Sequence, residues 1–166
     1  DVRTGLPLSL ALPAIPAPVN ALAASGALVV AGAGTEVVAF SATTGALRTR
    51  FDVSAPGRPV GTVRALAIAE PLLFVGGNFV DVLGQPRQHL AAIDMRTGQP
   101  TSFDPRPDNQ VLRLRVSSGA LYAVGLFSAV PGYGRGGVAA WDISRGTLEA
   151  FSPPVSGTSD LAFFRD

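Results

Sequence analysis

The chain has 166 residues, a formal net charge of +1, 15% charged and 47% hydrophobic residues, and no cysteine. These values exclude a disordered, highly charged chain, a basic footprint for nucleic acid, and any disulfide or thiolate metal centre. A chain of this length buries roughly 70% of the surface it exposes when unfolded, so a sizeable core is expected.

From the N-terminus, Thr4 to Thr35 carries no charge. The stretch has the polarity of a signal peptide or membrane span, with Arg3 as a basic flank. Pro7, Pro13, Pro16 and Pro18 break any continuous helix there. No other segment approaches the ~20 apolar residues of a spanning helix, so no membrane span is expected.

The chain then repeats itself. Residues 63–109 and 111–157 align at an offset of 48: Gly77 falls on Gly125, Phe79 on Phe127, Arg87 on Arg135, Asp94 on Asp142, Gly98 on Gly146. Residues 19–59 follow with one deletion. Leu28 and Gly32 precede their partners by 45 and Ser41 by 53, which leaves about eight residues missing, the counterpart of "FVDVLGQP". The opening "DVRTGLPLSLALP" matches "DMRTGQPTSFDP" and "TSDLAFFRD" matches the start of a repeat. Residues 1–18 are therefore expected to be the tail of a preceding unit, 19–60, 61–110 and 111–157 three units, the first shortened by that deletion, and 158–166 the first strand of a following one. On this reading the chain is a fragment of a longer array.

Each unit reads as four short strands. In the second they are "VRALAI", "LLFVGG", "HLAAIDM" and "PTSF", rich in β-branched and aromatic residues and separated by turn formers. No sustained helical period with caps occurs. Asp94 with Gly98, and Asp142 with Gly146, predict tight turns between third and fourth strands: the Asp oxygen accepts from amides two residues on, and the Gly takes positive φ. The doubled glycine at 76–77 predicts a bulge or a close backbone approach. Four antiparallel strands per 45 to 53 residues, repeated, predict an all-β fold, a partial, open β-propeller of about three and a half blades. A β-sandwich is the runner-up, but it would not require the self-match.

The segment "LLFVGGNFVDVLGQPRQHLAAIDMRTGQPTSFDP" resembles the delta-sixty type of propeller repeat of large, often secreted, bacterial proteins: G-G-x-F, then G-x-x-R, then L-A-A-x-D-x-x-T-G, then an aromatic near a Pro. The third unit departs at Leu126 and Arg145. The first lacks the G-x-x-R loop and has Ser41 for Asp. The resemblance implies a propeller and an extracellular or cell-surface address, and no settled activity. "AAIDMRTGQPTSF" is also similar to the tryptophan-docking repeats of quinoprotein propellers, with Phe103 late and in place of Trp. That family's cofactor groups lie in other segments, so no cofactor is expected.

Candidate functional residues follow from the pattern and its breaks. His89 is the only histidine and falls where the next unit has Gly137, so it reads as a variable surface position. Arg87 and Arg135 recur, which favours a scaffold role, each guanidinium bonding backbone carbonyls or an acidic side chain of its own or the neighbouring unit, over a ring of cations facing an anionic ligand. Arg113 and Arg115 break the repeat where the second unit has Ala65 and Ala67. On an innermost strand they require solvent or acidic partners. The second-to-third-strand loops and the inter-unit linkers emerge on one face, which gathers Arg58, Arg87, Arg106, Tyr133, Asp104 and Asp108. Asp104, Asp108 and Asn109 offer oxygen ligands of the type Ca²⁺ takes, without the alternate spacing of a dedicated calcium loop. No P-loop, dinucleotide fingerprint, G-x-S-x-G or H-E-x-x-H is present.

The expectation is a non-catalytic propeller segment that binds a protein or glycan partner through its loop face. The alternative is part of a propeller hydrolase or lyase whose catalytic residues lie in blades outside this chain. Open sheet faces call for further blades or self-association.

Overall fold

A computed structural model of the chain describes residues 13–15, 17–54, 61–151 and 153. The expected strand 158–166, most of the expected tail 1–18, and Arg58 lie outside the described residues. Those described are all β, and no helix among them is long and apolar enough to cross a membrane.

The first blade is a four-stranded antiparallel meander: β1 (Val19–Ser25), β2 (Leu28–Ala33), β3 (Glu36–Ser41) and β4 (Leu47–Asp52). The second holds β5 (Thr62–Ala69) and β6 (Leu72–Asn78), then a small separate hairpin of β7 (Asp81–Val82) and β8 (Gln85–Pro86). It returns through β9 (Leu90–Asp94) and ends in β10 (Gln99–Pro100). The third repeats this with β11 (Val111–Ser117), β12 (Ala120–Gly125), the hairpin β13 (Ala129–Val130) and β14 (Tyr133–Gly134), and β15 (Val138–Asp142). The described residues form an open β-propeller, their sheets not closed into a ring.

Two expectations are corrected. The fourth strand "PTSF" is shorter than read: β10 covers two residues, and the third sheet has three strands with one bridge, Trp141 to Leu148, in the fourth place. The cause lies in the loop arginines. The Thr101 amide still donates to Ala92, and the Glu149 amide to Ala140. The carbonyls of Thr101 and Glu149, however, accept from the Arg87 and Arg135 guanidinium groups. The first blade lacks that loop and arginine and keeps a six-residue β4. Second, strand pairing sets the offset of the first blade's inner strands at 44, not 45. Val19 pairs with Ala33 as Val63 pairs with Gly77, and Ala21 with Gly32 as Ala65 with Gly76. Gly32 therefore stands in the place of Gly76.

That place matters for packing. A Cβ on Gly32 would lie 2.4 Å from Val63 Cγ1 of the next blade, and one on Gly76 would lie 2.8 Å from Val111 Cγ1 of the blade after it. Each glycine makes a notch for the following blade's valine. Around the first notch the core joins Val30, Val37 and Phe51 to Leu66, Leu73 and Ile93. Around the second it joins Phe74, Leu90 and Ala92 to Leu121, Phe127 and Trp141. Phe103 meets Phe74 and Trp141 edge-on, with centroids 5.7 and 6.1 Å away. The second blade's sheet has a neighbour on each face, which accounts for the apolar residues on both phases of its strands.

The innermost strands β1, β5 and β11 lie side by side. Each is bulged at the same point, so that Asn20, Arg64 and Leu112 drop out of the pairing. The bulge is on the first strand, opposite the doubled glycine rather than within it. Gly77 permits the close approach: a Cβ there would meet Thr62 O at 2.0 Å.

Candidate functional site

In an antiparallel meander the second-to-third-strand connections and the inter-blade linkers share one end, and the hairpins at 94–98 and 142–146 share the other. The inner-strand bulges lie at the first end, the loop face.

At the opposite end, Asp94 Oδ1 accepts from the Arg96 amide at 2.8 Å, and Asp142 Oδ1 from the Ser144 and Arg145 amides at 2.8 and 2.9 Å. Gly98 and Gly146 close these turns at φ 70° and 68°. Hydrogen bonds from Arg96 hold the Asp94 carboxyl below its ordinary pKa, and that from the Ser144 hydroxyl does the same for Asp142. In the first blade Ser41 Oγ accepts from the Thr43 and Thr44 amides.

On the loop face, Arg87 donates to Thr101 O at 2.6 Å and Pro86 O at 2.8 Å. Arg135 donates to Gly134 O at 2.9 Å and Glu149 O at 3.3 Å. The Arg135 guanidinium carbon lies 5.3 Å from the centroid of exposed Tyr133. Arg106 pairs with Asp104 at 2.6 Å. Asp108 accepts from the Ser128 amide and hydroxyl and from the Ala129 amide, tying the linker to the third blade's loop. Burial pushes its carboxyl up, but the bonds from Ser128 and Ala129 outweigh this and leave it below the ordinary value.

The calcium reading concerns the oxygens of Asp104, Asp108 and Asn109. No three His, Asp or Glu side chains gather among the described residues. Asp104 Oδ2 is engaged by Arg106, Asp108 by Ser128 and Ala129, and Asn109 Oδ1 by the Gln110 amide.

His89 is half-buried rather than a surface residue. Its backbone has φ 62°, and its partner Gly137 has φ 86°. Glycine alternates here because the chain is left-handed, not because the side chain is solvated. Burial holds the His89 imidazole below its ordinary pKa, against a hydrogen bond with Gly77 and the charge of Asp108.

Arg113 and Arg115 project from one side of β11 and are exposed, while Leu114 and Val116 pack on the second blade. The equivalent Ala65 is buried and Ala67 belongs to the core shared with the third blade. The same side of the third blade carries Tyr122 and Phe151, edge-on at 5.5 Å, where the second has Phe74 and Phe103. Arg113, but not Arg115, also lines a cleft of about 240 Å³ across the three inner strands. Asn20 and Leu22 of β1, Arg64 and Leu66 of β5, and Leu114 of β11 complete its polar and aliphatic walls.

Sequence reasoning missed Arg64, which the bulge leaves outside the strand pairing and which lines this cleft. It also missed the exposed apolar side chains of the loop face: Val80, Leu83, Leu126 and Val19. Leu83 is the sharpest case. It takes φ 55° in the two-residue turn between β7 and β8, where Asn or Gly is the favoured residue.

No protein-family model matches the chain, and no curated protein does. Solved structures do match in fold. The computationally designed Ika4 protein superposes with a TM-score of 0.63 at 18% identity, covering 95% of this chain and 86% of that one. The WD40 repeats of RRP9 give 0.60 at 13% identity, covering 83% of this chain and 39% of theirs. A chain of the mitotic checkpoint complex gives 0.57 at 14% identity, with 78% and 36% covered. These similarities support the propeller fold. The chain spans under half the length of the RRP9 and checkpoint-complex chains.

Proposed function

We propose that this chain is a non-catalytic propeller scaffold, part of a larger secreted or surface bacterial protein of the delta-sixty type, which binds a protein or glycan partner through its loop face. The observation that carries the reading is the loop face itself. Val80 (50% exposed), Leu83 (38%), Leu126 (49%) and Tyr133 (58%) all stand on the two second-to-third-strand loops. Large exposed apolar side chains gathered at one end mark an interaction surface more often than chance exposure does. The left-handed backbone under Leu83 strengthens it, because strain of this kind is retained where a side chain is wanted. Apolar groups favour a protein partner, and Tyr133 would serve a glycan by stacking. Capture of partners from the source cell surface should be lost in a Leu83→Asp, Leu126→Asp double variant and kept in Arg96→Gln at the opposite end. Equal capture by all three proteins would refute the loop-face reading.

A further inference from the structure

We propose that the cleft at the loop-face end of β1, β5 and β11 is an acidic-peptide site, in which Arg64 and Arg113 grip a side-chain carboxylate while Asn20 adds an amide donor. The inference rests on the loop-face reading above and names a chemistry for it.

Four observations converge. The cleft takes wall residues from all three blades. Two of them are arginines and none is Asp or Glu. Among the described residues Arg64 makes no hydrogen bond or ion pair, and Arg113 is engaged there only by the carbonyl of its neighbour Leu112. Two arginines with no acidic partner among the described residues, in one concave cleft, offer an anion site with paired planar donors, the geometry that suits carboxylate.

The recurrent bulge explains how Arg64 comes to be there. Bulges re-aim a side chain out of the sheet's regular alternation. In β5 the pairing passes from Val63 to Ala65 and leaves Arg64 outside it. The glycine at 77 allows the carbonyl of Thr62 to approach the opposite strand closely enough for this. Asn20 occupies the same bulged place in β1.

Size and lining select the ligand. A volume of about 240 Å³ lies below the ~300–1,000 Å³ of sites that enclose a small molecule. It suits one or two residues of a larger partner. Leu22 is 65% exposed at its rim, and with Leu66 and Leu114 it gives aliphatic surface for the methylenes of a glutamate.

The test is calorimetric titration of the whole 166-residue chain with hexaglutamate, hexaglutamine and inorganic phosphate. Expected are binding of hexaglutamate that weakens with added salt, no heat from hexaglutamine, and weaker binding of phosphate. The Arg64→Gln, Arg113→Gln double variant should weaken hexaglutamate about tenfold or more, and Arg96→Gln should leave it unchanged. Amide NMR shifts in the wild-type chain, centred on Asn20, Arg64 and Arg113, supply a readout independent of any variant. Shifts centred elsewhere, or hexaglutamate affinity unaltered by the double variant, would overturn the site. Phosphate binding as tightly as the peptide with the same arginine dependence would overturn the acidic-peptide assignment. Partner capture that needs Leu83 and Leu126 but not the arginines would sink this inference and leave the loop-face reading standing.

Discussion

Replacing Gly76 by Ala should push the second and third blades apart, and shrinking Val111 should restore them. The added Cβ would sit 2.8 Å from Val111 Cγ1 and 3.2 Å from both Val111 Cβ and Leu114 Cδ1. No backbone strain is involved, so the effect is one of packing. Overfilling a close-packed site costs about 1–3 kcal/mol. Val111→Ala alone removes two buried methyl groups at ~0.8 kcal/mol each and leaves a small void, about 2 kcal/mol in all. If the notch is the contact that matters, the double variant should be more stable than the sum of the single losses predicts, by about 1 kcal/mol or more. Urea unfolding followed by Trp141 fluorescence reads this interface directly: Trp141 is the only tryptophan, is 3% exposed, and sits edge-on to Phe103 across the blade boundary. Additive losses, within about 0.5 kcal/mol, or a neutral Gly76→Ala would refute the notch argument.

Other consequences are open to measurement. Arg87→Gln removes guanidinium bonds to Thr101 O and Pro86 O. It should lower the unfolding free energy by about 1–2 kcal/mol in chemical denaturation, and an unchanged midpoint would contradict the scaffold role. His89 titrates below its ordinary 6.5 when folded, so the unfolded chain binds more protons between the two values. Stability should therefore be full above about 6.5 and fall as pH drops from there toward the folded value. His89→Gly should flatten that slope in thermal melts across roughly pH 5 to 7, and should also relax the left-handed backbone that Gly137 already adopts in the third blade. An unaltered slope would mean another group titrates. The exposed side of the third blade bearing Arg113, Arg115 and Phe151 predicts concentration-dependent self-association in sedimentation velocity, and a monomer at high concentration would contradict it.

What could be read from the chain beforehand divides along physical lines. Asp94 with Gly98 and Asp142 with Gly146 were legible because a turn of this type is local: its donors, acceptor and left-handed glycine lie within five residues. The doubled glycine at 76–77 signalled a close approach, yet not that Gly77 faces its own blade's Thr62 and Gly76 the next blade's Val111. That distinction comes only from the pleat. The hairpins β7–β8 and β13–β14 were not legible as strands. Each arm is two residues long, and Leu83 runs against the preference of its turn. The shortened fourth strands depended on arginines fourteen residues upstream taking carbonyls from the ladder. Arg113 and Arg115 stood out as breaks in the repeat, but Arg64 did not. Its position looks like an ordinary alternating residue until the bulge displaces it.

Hydrogen exchange on the chain with a captured partner bound tests the loop face most directly. Protection should rise at 79–89, 104–109 and 126–137 and at the first residues of β5 and β11, and stay unchanged at the 94–98 and 142–146 turns. Protection confined to those turns, with the loop face exchanging as in the free chain, would contradict the account.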